Sequence, residues 1–315
     1  MTSQQPEISL VVALKNEEDN VQPLIAKVHE ALQHMPYELI LIDDGSTDKT
    51  VKKIKEVITS QIKLVVFRKN FGQTQAMKAG IDVATGKYIV TMDGDLQNDP
   101  SDIAMMYQKL VDEDWDMVAG RRKNRKDGFF LRKLPSRIAN YFIRNSTNVR
   151  ISDYGCSLKI FKSDIAKNLG LYGELHRFIP VLAALQGATI AEVDVNHYAR
   201  VAGKSKYGMG RTFKVISDLF LMVFFLKYGQ KPMHLFGTMG FLTLLGGMGI
   251  NIYMLVIKIM GEEIWGRPLL LLGILLVLGG IQLITIGIIA DIQMRTYYES
   301  QDKKTYSVRT IITKE

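Results

Sequence analysis

The chain has 315 residues, of which 47% are hydrophobic and 23% charged, and its formal net charge is +8. That balance favours an anionic partner, such as nucleic acid, a phosphorylated ligand or an acidic membrane surface, over a basic one. The single cysteine, Cys156, excludes a disulfide bond within the chain and fits a reducing compartment.

The first third of the chain alternates short apolar runs with amphipathic segments. It begins without the basic, apolar and small-residue order of a signal peptide, so none is expected. The runs at 8–14, 38–44, 63–69 and 88–95 are typical of strands, and the segments between them have helical spacing. This order predicts a mostly parallel sheet with helices on both faces. In such sheets a ligand binds beyond the carboxyl ends of the strands.

Acidic residues follow three of these predicted strands, at the edge where a ligand is expected. They are Glu17, Glu18, Asp43, Asp44, Asp93 and Asp95. Two carboxylates separated only by Gly94 repel each other and resist burial unless a cation lies between them. Their hard oxygen atoms favour Mg²⁺ or Mn²⁺, and the glycine leaves room for a phosphate to approach the backbone.

The turn IDDGSTDKT after the second predicted strand has two interpretations. Ser46, Thr47 or Asp48 can cap the next helix, which would make it an ordinary loop. Alternatively, one of its aspartates accepts a hydrogen bond from a nucleobase N–H or from ribose hydroxyls. The chain has neither the G-x-x-x-x-G-K-[ST] phosphate loop nor the G-x-G-x-x-G motif, so a diphosphate would need neutralisation by a metal.

Four motifs in order resemble the family 2 glycosyltransferases. They are N-E-E at 16–18, D-D-G-S-T-D at 43–48, R-K-N-F-G at 68–72 and D-G-D-L-Q-N-D-P at 93–100. Within that family the chain is most similar to polyprenyl-phosphate glycosyltransferases, which also end in a two-helix membrane anchor. The D-Y-G-C pattern at 153–156 is more like enzymes that load 4-amino-arabinose or other modified sugars onto undecaprenyl phosphate. The resemblance implies a Rossmann-like, GT-A type α/β domain that binds a nucleotide sugar.

The resemblance also implies roles for individual residues. The nucleotide-sugar set is Ala13, Asn16, Glu17, Asp43, Asp44, Asn70, Asp93, Gly94, Asp95, Arg200 and Lys206. The catalytic set is Asp93, Asp95, Gln97 and Asp153, of which Asp93, Asp95 and Gln97 would hold Mg²⁺ or Mn²⁺. The acceptor-phosphate set is Arg121, Arg132, Ser136 and Arg137. Ala13 and Lys15 stand where many relatives have a proline and a tyrosine, which leaves the contacts to the base open.

The segment NHYARVAGKSKYG, which begins at Asn196, is basic and contains glycine. In relatives such a loop closes over the donor, with the counterparts of Arg200 and Lys206 reaching the diphosphate. An ordinary surface loop is the alternative, and His197 is interpreted as structural. Arginine suits the acceptor set because its planar fork binds phosphate oxygens bidentately.

Two uncharged segments, 235–257 and 268–290, favour a membrane anchor. Each would extend about 35 Å as an α-helix, enough to cross a hydrocarbon core of about 30 Å. Buried core helices are the alternative, but both segments are apolar on all sides and rich in glycine. Basic residues flank the pair at Lys227, Lys231 and Arg295, so the positive-inside rule places both termini and the large N-terminal part in the cytoplasm.

Two further segments have the pattern of helices lying in the lipid headgroup layer. They fall at about 129–146 and at 211–231, where apolar positions alternate with arginine and lysine. A solvated amphipathic helix is the alternative for the first of them. The expected organisation is therefore a GT-A-like glycosyltransferase domain at 1–210, an interfacial helix at 211–231, a two-helix anchor at 232–292 and a cytoplasmic tail at 293–315.

These features predict an inverting, metal-dependent sugar transfer at the cytoplasmic face of a bacterial inner membrane. A UDP-linked hexose, amino sugar or 4-amino-arabinose derivative would be the donor and undecaprenyl phosphate the acceptor, for cell-envelope glycan or lipid A modification. The alternatives are transfer from GDP-mannose, as in dolichyl-phosphate mannose synthases, and a catalytically silent membrane scaffold. Nucleic acid is excluded as a partner because basic and aromatic residues are not interleaved. The anchor helices could also associate into a homo-oligomer.

Overall fold

The computed structural model describes residues 5–123, 151–171, 173–199, 224, 228 and 231–300. The chain divides into two compact units, Met1–Leu219 and Phe220–Glu315. The predicted interfacial helix at 129–146, most of that at 211–231 and the last residues of the tail lie outside the described residues.

The first unit contains one sheet and its covering helices. Its strands are β1 (Ile8–Leu14), β2 (Tyr37–Asp43), β3 (Ile62–Val66), β4 (Tyr88–Asp93), β5 (Met117–Arg122), β6 (Lys159–Lys162) and β7 (Ile190–Val195). Its helices are α1 (Val21–Leu32), α2 (Thr50–Glu56), α3 (Gln73–Val83), α4 (Asp102–Asp112), α5 (Ser163–Lys167), the 3₁₀ helix Leu175–Phe178 and α6 (Ile179–Leu185).

The strands lie in the order β3-β2-β1-β4-β6-β5-β7. The first four are parallel, β6 is antiparallel to both of its neighbours, and β7 is parallel to β5. The predicted α/β class with a mostly parallel sheet is confirmed. All four predicted strands are present, and the third ends at Val66 rather than at 69. Among the strands that the structure describes, only β6 runs against the others, and no short-range pattern indicated this reversal.

The sheet is covered on both faces, which explains why β1 and β2 are apolar almost throughout. On one face, Leu24 and Val28 of α1 pack into a core with Leu10 and Leu39. On the other face α3 lies so close that a Cβ at Gly80 would overlap the side chains of Val11 and Ile42. Burial of each such aliphatic side chain contributes about 1.5–3 kcal/mol, so the core holds the strand ends in fixed positions.

One buried carboxylate, that of Glu38, joins three elements at the opposite edge of the sheet from the acidic residues. It accepts hydrogen bonds from Ser9 Oγ at 2.6 Å and from the main-chain N of Thr85 at 2.7 Å, and Lys63 Nζ lies 2.6 Å away. Burial raises the pKa of Glu38, but the bonds from Lys63, Ser9 and Thr85 together outweigh it and lower the pKa overall. The ionised form therefore stabilises the fold.

Glu38→Gln should destabilise the protein at neutral pH by about 2 kcal/mol, because it removes charge-assisted hydrogen bonds to a buried group. A carboxyl group with a lowered folded-state pKa contributes stability above its unfolded pKa of about 4.3 and loses it as the pH falls through the folded value. Thermal melts of the full chain at pH 7 and pH 4 should therefore show a large gap between wild type and variant at pH 7 and a smaller one at pH 4. Exposed Glu30→Gln is the control, and an equal gap at both pH values would contradict the assignment.

The second unit is a helical hairpin of α7 (Pro232–Ile259) and α8 (Pro268–Ser300). The most apolar 18-residue stretch of Pro232–Ile259 has a mean hydropathy of 1.8, and that of Pro268–Met294 has a mean hydropathy of 2.6. Both segments are long and apolar enough to cross a membrane. Only 17% of that stretch in the first segment, and 11% of that in the second, is buried within the protein. Core helices of a soluble protein would be mostly buried, so the exposed apolar surface indicates membrane association.

Glycines line the seam between the two helices of the hairpin. A Cβ at Gly240 would lie 2.8 Å from the carbonyl oxygen of Gly280, and one at Gly247 would lie 2.8 Å from that of Gly273. A Cβ at Gly279, by contrast, would meet nothing within 4 Å. The glycines on the seam permit the close backbone approach that holds apolar helices together where the hydrophobic effect does not act.

Candidate functional site

The loops that carry the acidic residues meet at one edge of the sheet. In the strand register Leu14 of β1 is opposite Asp43 of β2, and Ala13 is opposite Asp93 of β4. Three parallel strands therefore end side by side, and the residues that follow them share one edge. The predicted positions of Ala13, Asp43 and Asp93 are brought together by this register alone.

The loop after β1 and the loop after β2 form one hydrogen-bonded unit. Asn16 has a φ of 52° and its side-chain oxygen accepts a hydrogen bond from the main-chain N of Thr47 at 2.8 Å. The main-chain N of Asn16 donates to Ser46 Oγ at 2.8 Å, and Lys15 Nζ donates to the carbonyl oxygen of Asp44 at 3.1 Å. Ser46 and Thr47 thus bind the neighbouring loop instead of capping α2. The helix start is held by Asp48, which accepts from the main-chain N of Thr50 at 3.0 Å.

The two aspartates at the end of β2 have different surroundings. Asp44 is buried, and its carboxylate accepts from Asn70 Nδ2 at 2.7 Å, from Phe71 N at 2.7 Å and from Gly72 N at 3.0 Å. It therefore fixes the R-K-N-F-G loop. Asp43 accepts from the main-chain N of Ser46 through Oδ2 at 2.9 Å. Within the described part of the chain its buried Oδ1 has no hydrogen-bond partner. An unmatched buried acceptor costs about 1–3 kcal/mol, and a ligand N–H would satisfy it.

The acidic turn after β4 carries its two carboxylates close together. Asp93 Oδ1 accepts from Gln73 Nε2 at 2.7 Å, and Asp95, only 8% exposed, accepts from Gln97 N at 3.2 Å. Burial raises the pKa of Asp93, and the negative charge of Asp95 raises it further. The ionised form of Asp93 is thus destabilised, and a divalent cation would remove that penalty. A Cβ at Gly94 would overlap the side chain of Leu14, so glycine lets the turn pack directly against β1.

The chemistry of this turn fits a cation bound partly by the protein and partly by a ligand. In the parts of the chain that the structure describes, no group of three or more His, Cys, Asp or Glu side chains is placed to hold a metal. Two carboxylates and one amide leave further positions for phosphate oxygens, as Mg²⁺ and Mn²⁺ sites in phosphate-handling enzymes require.

The D-Y-G-C-S-L-K segment, 153–159, packs against the acidic turn. Ser157 Oγ accepts from the main-chain N of Asp93 at 3.3 Å and donates to Asn98 Oδ1 at 2.9 Å. Lys159 is fully buried, and its ammonium donates to the carbonyl oxygen of Cys156. Burial lowers the pKa of Lys159, and its positive charge offsets part of the rise in the pKa of Asp93. Ser157 therefore fixes the backbone of the acidic turn through its hydrogen bonds.

Two neighbouring arginines at the end of β5 point to different partners. Arg121, the predicted acceptor-phosphate residue, is half exposed and paired with Asp194 at 2.5 Å. Arg122 pairs bidentately with Asp153, at 2.7 Å and 2.8 Å. The charge of Arg122 also offsets part of the rise in the pKa of Asp93. The structure therefore places Arg122, which sequence reasoning missed, beside the acidic turn. The alternation of side chains along a strand was the available signal, since adjacent residues face opposite sides.

The segment after β7 forms hydrogen bonds with the residues that follow the acidic turn. Tyr198 N donates to the carbonyl oxygen of Gln97 at 2.8 Å, and Gln97 Nε2 donates to that of Tyr198 at 3.3 Å. Tyr198 Oη donates to Asp99 Oδ2 at 3.0 Å, and His197 forms a β-bridge with Asn98. Because the amide nitrogen of Gln97 is engaged, its Oε1 is the atom that can face a cation.

The structure thus brings most of the predicted site residues to one edge of the sheet. Gln73, Ser157 and Lys159 also contact or influence the turn, and the sequence patterns did not single them out. Five predicted residues lie outside the described part of the chain: Arg132, Ser136, Arg137, Arg200 and Lys206.

The model of the glycosyl transferase family 2 matches residues 9–170, more than half of the chain. The chain therefore belongs to the family 2 glycosyltransferases. It is 47% identical over 313 residues to dodecaprenyl-phosphate galacturonate synthase of Rhizobium johnstonii (strain DSM 114642 / LMG 32736 / 3841), a match that covers 97% of this chain and 93% of the relative. The predicted resemblance to polyprenyl-phosphate glycosyltransferases is confirmed.

Solved structures with the same fold include glucosyl-3-phosphoglycerate synthase of Mycobacterium tuberculosis. Its complex with Mn²⁺, UDP and glucosyl-3-phosphoglycerate aligns with a TM-score of 0.57 at 17% identity, over 69% of this chain and 80% of that chain. Its complex with Mn²⁺ and UDP-glucose aligns with a TM-score of 0.56 at 17% identity, over 69% and 79% of the two chains. At this identity the likeness establishes the fold.

Proposed function

We propose that this glycosyltransferase moves a sugar from a nucleoside diphosphate to a polyprenyl phosphate at a membrane surface. The observation that carries the proposal is the pair of crowded carboxylates, Asp93 and Asp95, at the shared edge of β1, β2 and β4. Because the negative charge of Asp95 destabilises the ionised Asp93, the site favours a divalent cation. Such a cation can in turn bind the oxygen atoms of a diphosphate. The 47% identity to a polyprenyl-phosphate sugar synthase supports the acceptor class.

The nucleoside would bind between the loops after β1 and β2. The unmatched Oδ1 of Asp43 would accept the N–H of the base, which both uracil and guanine carry on the edge they present. Asp44 would act by holding Asn70 and the loop around it in place. Ala13, Asn16 and Glu17 complete the proposed nucleoside set, and Arg200 and Lys206 would reach the diphosphate.

Asp93, Asp95 and the amide oxygen of Gln97 would hold Mg²⁺ or Mn²⁺ next to the donor diphosphate. A bound divalent ion would neutralise charge that develops on the leaving diphosphate. Gly94, which lets this turn pack directly against Leu14, remains part of the proposed nucleotide-sugar set. Mn²⁺ is the ion to test first, because glucosyl-3-phosphoglycerate synthase has this fold and binds Mn²⁺ with UDP.

The acceptor would attack the anomeric carbon in line with the leaving group and invert its configuration. An oxygen of the lipid phosphate forms the new bond to carbon as the bond to the nucleoside diphosphate breaks, and the electron pair leaves with the diphosphate. A phosphate monoester with a second pKa of about 6 is largely ionised at neutral pH, so no strong general base is needed. Asp153, paired with Arg122, would therefore serve to orient that arginine. Arg121, Arg132, Ser136 and Arg137 complete the proposed acceptor set.

The same comparison supports a first choice of sugar donor. The relative is named for galacturonate, so we propose a UDP-linked uronic acid as the first donor to test, beside the hexose, amino sugar and 4-amino-arabinose derivatives. The helices α7 and α8 would span the bacterial inner membrane, with the catalytic unit and both termini in the cytoplasm. The lipid-linked product would supply sugar to an envelope glycan or to lipid A.

A donor panel tests this proposal. The purified full chain in nanodiscs, with undecaprenyl phosphate, receives UDP-galacturonate, UDP-glucose, a UDP-linked amino sugar, a UDP-linked 4-amino-arabinose derivative or GDP-mannose. Each donor is tested with Mn²⁺, Mg²⁺ or EDTA, and the lipid is analysed by mass spectrometry. We expect the mass of one uronic acid to be added to the lipid phosphate, only when a divalent ion is present. Transfer from GDP-mannose alone would favour a mannose synthase, whereas no transfer together with no thermal stabilisation by any nucleotide would favour a scaffold.

A further inference from the structure

The first turn of α3 contacts both acidic loops at once. Just before the helix, the main-chain N–H groups of Phe71 and Gly72 donate to the carboxylate of Asp44. The first helical residue, Gln73, donates from Nε2 to Asp93 Oδ1 at 2.7 Å. One short stretch of chain therefore joins the loop proposed for the nucleoside to the turn proposed for the metal.

This stretch is held rigidly. Thr74 is buried and its Oγ1 lies 2.7 Å from Nδ1 of His176 in the 3₁₀ helix. Further along the helix, Gly80 permits contact with the side chains of Val11 and Ile42 beneath it. An amide on such a fixed element places its hydrogen bond with little freedom, so it can fix the rotamer of the carboxylate that it contacts.

We infer that Gln73 is a positioning residue that orients the Asp93 carboxylate towards the cation, an inference that rests on the proposed function. A neutral amide satisfies one carboxylate oxygen without cancelling the charge that the cation needs. A lysine or arginine at this position would pair with Asp93 and compete with the metal. Gln73 is thus a hydrogen-bond donor that sets the orientation of a metal-binding carboxylate, as residues around metal ligands commonly do.

Two substitutions at this position should act in opposite directions. Gln73→Leu removes the hydrogen bond at similar volume, so about tenfold more Mn²⁺ should be needed for half-saturation in the presence of UDP. Gln73→Glu also removes the donor, but it adds a third carboxylate, which repels Asp93 when no metal is bound and attracts the cation. Its melting temperature in EDTA should fall, and the rise on adding Mn²⁺ and UDP should exceed that of wild type.

The experiment uses the full chain in detergent and two readouts other than turnover. Electron paramagnetic resonance counts free Mn²⁺ during a titration with UDP present, and thermal melts are recorded in EDTA and in Mn²⁺ with UDP. Gln75→Leu is the matched control, because Gln75 lies two residues along the same helix and so on another face. It should bind Mn²⁺ as wild type does.

The outcomes separate this inference from the function on which it rests. If wild type binds Mn²⁺ with UDP and both Gln73 variants bind it equally well, Gln73 does not position the carboxylate and the inference is wrong, while the proposed function stands. If wild type itself binds no Mn²⁺ in the presence of UDP, or of GDP, the metal assignment fails and the inference fails with it.

Discussion

Replacing Asp93 by asparagine should abolish sugar transfer while the protein stays folded. Asparagine has the same size and can still accept the hydrogen bond from Gln73, but it carries no charge to hold a divalent ion against the donor diphosphate. Losing such electrostatic stabilisation of a leaving group should lower kcat by about 10³-fold or more. The measurement is the rate of lipid-linked sugar formation by the purified full chain at saturating donor and acceptor.

The same substitution should stabilise the metal-free protein. The negative charges of Asp93 and Asp95 destabilise each other in the folded state, and removing one relieves that repulsion. The melting temperature of Asp93→Asn in EDTA should therefore exceed that of wild type, and Mn²⁺ with UDP should no longer raise it. Asp82→Asn, which neutralises an exposed carboxylate on α3, is the control and should leave both activity and melting temperature near wild type. Wild-type turnover by Asp93→Asn would refute the metal assignment.

Gly45→Ala should weaken nucleotide binding at least tenfold through a backbone effect. Gly45 has a φ of 67°, and a Cβ there would lie 2.5 Å from the carbonyl carbon of Lys69 and 2.8 Å from the main-chain N of Asn70. The left-handed conformation costs a residue with a Cβ about 1 kcal/mol, but the overlap with backbone cannot be relieved by turning a side chain. The two loops must separate, which breaks the bond between Asn70 and Asp44 and opens the site proposed for the base.

Gly170→Ala separates the two effects. Gly170 has a φ of 61°, close to that of Gly45, but a Cβ there would meet nothing within 4 Å. It should lower the melting temperature by a few degrees, about what 1 kcal/mol produces, and leave UDP affinity unchanged. Isothermal titration with UDP and Mn²⁺ should show at least a tenfold weaker affinity for Gly45→Ala alone. Equal affinities for the two variants would show that the contact between the loops is not needed for binding.

Local patterns were enough to predict the strands that carry the site. Residues 8–14 were predicted as a strand and form β1, because a continuous apolar and β-branched run in a parallel sheet is buried on both faces. Aspartates that directly follow such strands must lie at the sheet edge, since parallel strands all end on the same side. The positions of Asp43 and Asp93 directly after parallel strands therefore predict that both lie at the same edge of the sheet.

Long-range packing decided which neighbours those aspartates have. Asp93 is contacted by Gln73 from α3 and by Ser157 from the loop before β6, and no local pattern relates these residues. The choice between Arg121 and Arg122 depended on which side chain faces Asp153 once β6 is inserted antiparallel between β4 and β5. A motif search that reads residues in order could not distinguish two adjacent arginines.

By itself the sequence determined the class of sheet, the edge at which the acidic residues gather, the apolar hairpin and the glycosyltransferase family. These properties follow from the period of apolar residues and from residue types at fixed spacing, both of which are local. Only the tertiary structure decided that Asp44 holds a loop while Asp43 keeps an unmatched oxygen, and that Gln73 contacts Asp93. Hydrogen bonds between distant segments depend on how the helices pack on the sheet, and packing is a property of the whole chain.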